Sequence, residues 1–391
     1  MTKYYYIDDD PNSQNKVQGF ENNELSIVAM QHKDSWEEQL KFLKEKEDDY
    51  DGLILDLKLD DLPNSNNKRA EFRGTSLAQE IRTRQKEGFL KCFPIVLFSA
   101  NDKTQQALEK SGMDLFDIYI DKSKLNDEAF LMFAPQIIDV SDGYRRLSDS
   151  SLSVRDVFDI TDNQIDSRFI FEYNETKKSP VHIQARFLIT ELLYKQGLLV
   201  NENVLAARLG IDKDKSEDWA ALLNELTCAK YNGVFSKGWS RWWMHLVSQW
   251  WEKTVCGTDD RSNQGMHLVE QWWEKTVESN EFIFLRSTPA PERVDRIKQA
   301  TQLTRLVAAE KIDKANSDGF WTVCKGNNRP LDPVDGLLIQ GQDNLYSWQE
   351  PEYVSVDAAL WRKNIDNWIS VADVEKERYE TLKTLYSRKR Q

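Results

Sequence analysis

The stretch DGLILDLKLDD, residues 51–61, is a continuous apolar run that carries one central acid, Asp56. Apolar and polar residues do not alternate in it, so we predict a strand that is buried on both faces. Four further apolar runs lie on either side of it in the chain: KYYYI, LSIVAM, PIVLFS and FDIYI. Strands of this kind are typical of a parallel sheet that helices cover on both sides.

Helical patterns separate these runs. In SWEEQLKFLKEKEDDY, Trp36, Leu40 and Leu43 follow the spacing i, i+4, i+7, which predicts an amphipathic helix. GTSLAQEIRTRQKEG and DKTQQALEKSG predict two more. Alternating strands and helices favour an α/β domain with a five-stranded, parallel, doubly wound sheet.

Polar residues follow four of the predicted strands, namely Asp8 and Asp9, Asp56, Ser99 and Lys122. In open parallel sheets, ligands bind at the carboxyl ends of the strands, so we expect these side chains to converge. Adjacent acids repel each other, and a bound cation would relieve that repulsion. Taken alone, however, the acids of KYYYIDDDP are equally typical of a solvated turn that caps a helix.

The segments IDDDP, LILDLKLDD, LFSAND and YIDKS occur in this order. With them, residues 3–140 resemble the receiver domain of two-component response regulators. The resemblance implies the flavodoxin-like fold and a phosphoryl group accepted by Asp56 from a histidine kinase or phosphotransfer protein. It implies Mg²⁺ as cofactor, with Asp8, Asp9, Asp56 and the backbone carbonyl of Lys58 as ligands.

The same resemblance implies that Ser99, Ala100 and Lys122 bind the phosphoryl group, and that Ser99 and Tyr119 form the conformational switch. Two departures from the family pattern stand out. Ser123 follows Lys122 where the family has proline, and LPNSNNKRAEF, residues 62–72, lengthens the link after the third strand. We interpret that loop as a tolerated surface insertion, with partner recognition as the alternative.

We predict a receiver domain over 1–142, a linker over 143–179 and a mainly helical output domain over 180–391. The output domain resembles no family that we can name. LAARLGI, within residues 202–226, resembles the start of a helix-turn-helix module. The next helix, KSEDWAALLNEL, is acidic, whereas a helix that reads DNA presents basic or amide side chains. Nucleic acid is therefore the less favoured partner.

MHLVSQWWEKTV at 244–255 recurs as MHLVEQWWEKTV at 266–277, so residues 244–277 are a Trp-rich duplicated segment. Its tryptophan pairs favour core packing first, a protein interface second and base stacking third. His245 and His267 occupy equivalent positions in the two copies, and we interpret them as packing residues.

The net charge of −13 at pH 7 disfavours nonspecific binding to nucleic acid or anionic lipid. Four dispersed cysteines suit a reducing compartment. No apolar stretch is long enough for a membrane span and no signal peptide is evident, so we expect a cytoplasmic protein.

The leading hypothesis is a phosphorylation-controlled signalling protein whose output region changes its contacts with a protein partner or a second copy. The receiver domain and the Trp-rich region would then supply the interface. The protein would act, for example, in a bacterial stress or antiviral defence system. The alternatives are a DNA-binding transcriptional regulator and an effector enzyme with an unrecognised active site. Beyond the receiver's own phosphorylation and dephosphorylation, we expect no enzymatic activity.

Overall fold

The structure, a computed structural model, describes residues 1–100, 114–161, 164–256, 284–361 and 370–388. The chain folds into two compact units. The first comprises residues 1–165, 169–191 and 232–239, and the second comprises 166–168, 192–231 and 240–391. The predicted helix DKTQQALEKSG and the second copy of the repeat, with His267, lie outside the described residues.

The first unit is built on a five-stranded sheet in which every neighbouring pair is parallel. Its strands are β1 Thr2–Ile7, β2 Leu25–Met30, β3 Gly52–Leu55, β4 Ile95–Ser99 and β5 Ile118–Asp121. Their order, β2-β1-β3-β4-β5, is that of the flavodoxin-like doubly wound fold. The predicted fold class is confirmed.

Among the described residues in the N-terminal half of the chain, the helices are α1 Pro11–Gln14, α2 Trp36–Glu45, α3 Gly74–Lys86, α4 Asp127–Leu147, α5 Val154–Phe158, α6 Ser167–Thr176 and α7 Val181–Phe187. Shorter 3₁₀ segments cover Asn15–Phe20 and Lys122–Lys124, and a π-helical turn covers Leu188–Leu193. The stretch 143–179, predicted as a linker, thus contains the end of α4 together with α5 and α6.

The sheet register aligns the strand ends that matter for function. Ile7 lies opposite Leu55, and Leu55 lies opposite Leu97, so the residues that follow β1, β3 and β4 emerge at one edge. These strand residues are buried with Leu40 and Leu43 of α2 in a single apolar cluster. Each such side chain contributes roughly 2 kcal/mol to folding, and this packing fixes where the polar residues behind it emerge.

Gly74 lets α3 begin directly behind this edge. Its N–H donates to the carbonyl of Leu57 at 3.0 Å. A Cβ atom at position 74 would overlap the carbonyl oxygen of Asp56. Glycine is therefore required for the close approach of the α3 N-terminus to the chain around Asp56.

The remaining part of the chain is mostly helical, as predicted. Its helices are α8 Glu202–Leu209, α9 Trp219–Glu225, α10 Met244–Trp250, α11 Ala290–Thr301, α12 Val356–Trp361 and α13 Lys376–Arg388. Its short strands are β6 Gln196–Gly197, β7 Leu199–Val200, β8 Trp242–Trp243, β9 Thr322–Val323, β10 Pro330–Leu331, β11 Gly336–Leu338, β12 Gln349–Glu350 and β13 Tyr353–Ser355. They form four antiparallel pairs: β6 with β12, β7 with β8, β9 with β10, and β11 with β13.

The tryptophans in and directly before the first repeat copy are packing residues. Trp242, Trp243, Trp250 and Trp251 are all buried, and three of them belong to the main apolar cluster of the second unit. His245 packs its ring against Trp243 at a centroid distance of 5.7 Å. Burial of this kind agrees with the packing interpretation and leaves these four side chains unable to form an exposed partner surface.

Candidate functional site

The carboxyl edge of the sheet in the first unit surrounds an opening of about 420 Å³. Asp8 follows β1, Asp56 follows β3 and Lys122 follows β5, so the fold brings together residues that are far apart in the chain. The residues that line the opening are Asp8, Asp9, Asp10, Ser13, Lys16, Asp56, Lys58, Asp61, Leu62, Ala100, Lys122 and Ser123.

Three buried carboxylates meet in this opening. Asp8, Asp9 and Asp56 each offer one oxygen, and these oxygens lie within 4.8 Å of one another. In the part of the chain that the structure describes, they form the one group of three or more His, Cys, Asp or Glu residues assembled this closely. Like charges at such distances repel strongly, so the arrangement requires cations nearby.

Lys122 supplies one positive charge. Its Nζ lies 2.5 Å from Oδ2 of Asp8 and 2.6 Å from Oδ1 of Asp56. The same ammonium lies over the rings of Tyr6 and Phe98, 5.6 and 5.1 Å from their centroids, where a cation is attracted to the ring faces. The side chain is therefore held at one place and bridges two of the three carboxylates.

Two hydrogen-bond donors that are close to Asp8 in the chain hold its carboxylate in place. The Tyr6 hydroxyl donates to Oδ2 of Asp8, and the N–H of Asp10 donates to its Oδ1 at 2.8 Å. Asp10 itself caps α1, because its side chain accepts from the N–H of Asn12. The acidic run KYYYIDDDP is thus both a helix cap and part of a carboxylate cluster.

The loop after β3 fixes the other two carboxylates. Oδ2 of Asp56 accepts from the N–H of Lys58 at 2.8 Å, and Oδ2 of Asp9 accepts from the N–H of Leu62 at 2.5 Å. Hydrogen bonds to an ionised carboxylate stabilise its charge. Backbone donors therefore offset part of the repulsion in the cluster.

Burial still dominates the ionisation of two of these groups. It raises the pKa of Asp56; the nearby Lys122 ammonium opposes the shift and the Asp8 charge adds to it. Burial likewise raises the pKa of Asp9, and the N–H of Leu62 opposes that shift. The folded protein thus resists full ionisation of the cluster.

The structure places the remaining predicted residues around this cluster. Ser99 ends β4, is fully buried, and has no hydrogen-bond partner for its hydroxyl among the described residues. Ala100 lines the opening and Tyr119 lies on β5. No cis peptide bond occurs in the described chain, so the bond between Lys122 and Ser123 is trans.

Sequence reasoning missed four contributors to the site. Tyr6 reads as an ordinary strand residue, although a tyrosine two positions before Asp8 lies on the same face of the strand. Leu62 acts through its backbone N–H, which no residue pattern reveals. Ser13 of α1 and Lys16 of the following 3₁₀ segment also line the opening, and the sequence analysis names neither of them.

No model of a known protein family matches this chain, and no curated protein does. Similar solved structures include the Mn²⁺-bound form of response regulator Rcp1, at 16% identity over 39% of this chain and 98% of that chain, with a TM-score of 0.23. They include RcsB from Salmonella enterica serovar Typhimurium bound to promoter rprA with phosphomimetic BeF3⁻, at 14% identity over 57% and 96%, with a TM-score of 0.24.

The Legionella pneumophila response regulator LqsR is similar at 15% identity over 59% of this chain and 75% of that chain, with a TM-score of 0.27. These values are low throughout. The assignment of the fold therefore rests on the strand order and register of the sheet itself.

The segment that resembles a helix-turn-helix has a different geometry from that motif. Residues 210–218 separate α8 from α9, whereas the motif joins its helices by a turn of about three to four residues. Arg208 is 1% exposed; it pairs with Glu350 and donates to the carbonyl of Trp321 at 3.0 Å. An arginine buried in this way serves packing within the second unit and cannot contact DNA.

Across the described residues, no helix combines the length and the apolarity needed to cross a membrane.

Proposed function

We propose that residues 3–140 form a receiver domain, and that phosphorylation of Asp56 controls a signalling output. The observation that carries this proposal is the contact of Lys122 with Asp56 at 2.6 Å. It lies beside Asp8 and Asp9 at the carboxyl edge of the sheet. A carboxylate nucleophile, a lysine and a carboxylate pair are the groups that phosphoryl transfer to an aspartate needs.

The donor would be a histidine kinase or a phosphotransfer protein carrying phosphohistidine. An oxygen of Asp56 forms a bond to phosphorus, the P–N bond breaks, and its electron pair returns to the imidazole of the donor. Lys122 is positioned to neutralise charge on the transferred group. The buried hydroxyl of Ser99, which lacks a partner among the described residues, suits a hydrogen bond to a phosphoryl oxygen, and with Tyr119 it would form the switch.

The donor set fits a Mg²⁺ ion. Mg²⁺ prefers hard oxygen ligands and is usually held by one or two carboxylates, with water and phosphate oxygens completing its shell. Asp8, Asp9, Asp56 and the carbonyl of Lys58 would hold it here. When bound, the ion would neutralise the negative charge that gathers on the transferring phosphoryl group. The raised pKa values of Asp9 and Asp56 agree with a cluster that is incomplete without such a charge.

For the output we infer contacts with a protein partner or a second copy of the chain. Trp250 and Trp251 of the first repeat copy and Trp242 and Trp243 directly before it are buried, so any such interface would use other side chains. DNA binding has no observation in its favour, because the helix that would read bases is acidic and Arg208 is buried.

The test uses Mg²⁺ with acetyl phosphate as the phosphoryl donor and measures acid-stable, hydroxylamine-sensitive phosphate on the protein. We expect incorporation in wild type and none in Asp56→Asn. Asp48→Asn is the matched control, since Asp48 is exposed and does not line the opening. Incorporation that survives in Asp56→Asn, or is absent from wild type in the presence of bound metal, contradicts the proposal.

A second measurement reads the output. Light scattering with Mg²⁺ and beryllofluoride, which mimics a phosphoryl group, reports the mass in solution. A mass increase in wild type that Asp56→Asn abolishes supports a switchable self-association. If the mass stays constant while beryllofluoride is bound, the output is contact with a different protein and not self-association.

A further inference from the structure

The inserted loop between β3 and α3 is ordered by hydrogen bonds around Asn64. Asn64 is 8% exposed. Its N–H donates to the carbonyl of Lys68 at 2.8 Å, and its own carbonyl accepts from the N–H of Asn67 at 2.9 Å. Asn67 has φ of 58°, in the left-handed region that asparagine tolerates. Residues 64–68 therefore form a closed turn.

The side chain of Asn64 is fully satisfied. Its Oδ1 accepts from the N–H groups of Asn66 and Lys68, at 3.0 and 3.1 Å. Its Nδ2 donates to Oδ1 of Asp34 at 2.7 Å and to the carbonyl of His32 at 3.4 Å. An asparagine amide has two donors and two acceptor sites, and all four are used here. Such a residue specifies one geometry of the loop.

Asp34, in the segment between β2 and α2, anchors the loop from the other side. It accepts from Asn64, from Nδ2 of Asn66 at 3.2 Å and from Nζ of Lys68 at 2.9 Å. These donors, Asn64 first, lower the pKa of Asp34 to about 2, so it is a carboxylate at every physiological pH. We call the set of Asn64, Asp34 and Lys68 the loop latch.

The same loop reaches the carboxylate cluster. Leu62, two residues before Asn64, donates its N–H to Oδ2 of Asp9 at 2.5 Å, and the N–H of Asp61 also bonds to Asp9. Pro63 lies between Leu62 and Asn64, and its ring fixes φ. The short, stiff link means that the position of Asn64 determines where the two N–H donors point.

We propose that Asn64 and Asp34 are positioning residues for the divalent cation site: the loop latch holds the N–H groups that keep Asp9 in place beside Asp8 and Asp56. Without these donors, Asp9 turns away from its like-charged neighbours and the cation loses a prepared ligand. The inference rests on the proposed function, since it concerns the same cluster. Removal of partners that orient a metal ligand typically weakens metal affinity by about tenfold or more.

The test measures Mn²⁺ affinity of the full chain from the free-ion signal in electron paramagnetic resonance, with Mg²⁺ as competitor. We expect Asn64→Ala and Asp34→Ala each to raise the Kd by about tenfold. The double variant should match the single ones, because both remove the same constraint. Asp34→Asn keeps an acceptor oxygen for Asn64 and should recover most of the affinity.

Two matched controls accompany these variants. Ser65→Ala changes the same loop at an exposed side chain, while the backbone N–H of residue 65 still donates to Gln31. Glu37→Ala removes an exposed acid on the neighbouring α2 and repeats the charge change of Asp34→Ala. Both should bind Mn²⁺ as wild type does. If Asn64→Ala fails to fold, Asp34→Ala carries the test, since its side chain lies outside the loop.

The outcomes separate the two claims. Wild-type affinity in folded Asn64→Ala and Asp34→Ala overturns the inference and leaves the proposed function standing. If the losses of Mn²⁺ affinity add up in the double variant, Asn64 and Asp34 do not act through one shared constraint, which overturns the loop latch. Absence of Mn²⁺ binding by wild type contradicts the proposed function itself.

Discussion

Individual residues in the carboxylate cluster oppose the stability of the fold. The pKa of Asp9 is raised, chiefly by burial and further by Asp8, so the folded state binds its proton more tightly than the unfolded chain does. Stability then falls as pH rises through that raised pKa, and it is greatest below the unfolded value of about 4. At neutral pH the ionised cluster is a cost that a bound cation offsets.

We therefore expect Asp9→Asn to stabilise the metal-free protein at pH 7. Asparagine removes the charge but retains an acceptor for the N–H of Leu62. The gain should shrink as the pH is lowered from 7 to about 4, the unfolded value, because the folded state takes up the Asp9 proton as the pH falls. Mg²⁺ should stabilise the variant less than wild type. Urea unfolding with EDTA and with Mg²⁺ at both pH values measures this. A loss of stability at pH 7 would show that the Asp9 charge supports the fold.

At the scale of elements, α3 is fixed to the chain around β4 and β5 by one buried arginine. Arg82 pairs with Asp117 at 2.8 Å and donates to the carbonyls of Phe93 and Leu115 at 3.0 and 3.1 Å. Asp117 also accepts from the Tyr144 hydroxyl of α4 at 2.7 Å. These contacts set the start of β5, and β5 delivers Lys122 to the site.

Arg82→Met should lower the free energy of unfolding of the first unit by about 3–5 kcal/mol, because it leaves the Asp117 charge buried without its cation. Arg84→Met is the matched control on the same helix. Arg84 pairs with Glu80 and Glu87 at a solvated surface, so the change should stay below about 1 kcal/mol. Hydrogen exchange of the β4 and β5 amides measures both. Equal effects in the two variants would contradict the role of burial.

The elements that sequence predicts best are those that local patterns define. Apolar runs predict all five strands, and the spacing of Trp36, Leu40 and Leu43 predicts α2. α11 ends at Thr301, although apolar spacing continues to Ile312, because Gln302 adopts a left-handed conformation at φ 62°. The hydrogen bonds from Nδ2 of Asn64 to Asp34 and His32 join residues 30 and 32 positions apart, and no local pattern encodes such contacts.

At the scale of the whole molecule, sequence alone predicts the sheet and locates the candidate site in the first unit. It does not predict a function for the second unit. In the first unit Asp8, Asp56 and Lys122 each follow a strand, so strand order is enough to bring these three together. In the second unit the residues that stand out in the sequence are buried in the structure. The sequence favours core packing for the tryptophans 242, 243, 250 and 251, and all four are buried. Arg208, in the segment that resembles a helix-turn-helix, is buried as well.

This burial decides how the DNA-binding hypothesis can be tested. Arg208→Glu would place an uncompensated charge beside Glu350 and Trp321, and we expect it to destabilise the second unit by at least about 3 kcal/mol. Tryptophan fluorescence during urea unfolding measures this loss. Any change in DNA binding by that variant would then reflect unfolding, so the variant cannot test recognition.

Lys213→Glu provides the valid test. Lys213 is partly exposed and pairs weakly with Glu202, at 3.4 Å, so its reversal should change stability by less than about 1 kcal/mol. Because the segment KSEDWAALLNEL that follows Lys213 is acidic, we expect neither wild type nor Lys213→Glu to bind duplex DNA in an electrophoretic assay, at low or at moderate salt. Salt-sensitive binding by wild type that Lys213→Glu abolishes, with the fold intact, would establish a DNA-binding output and replace the protein-contact proposal.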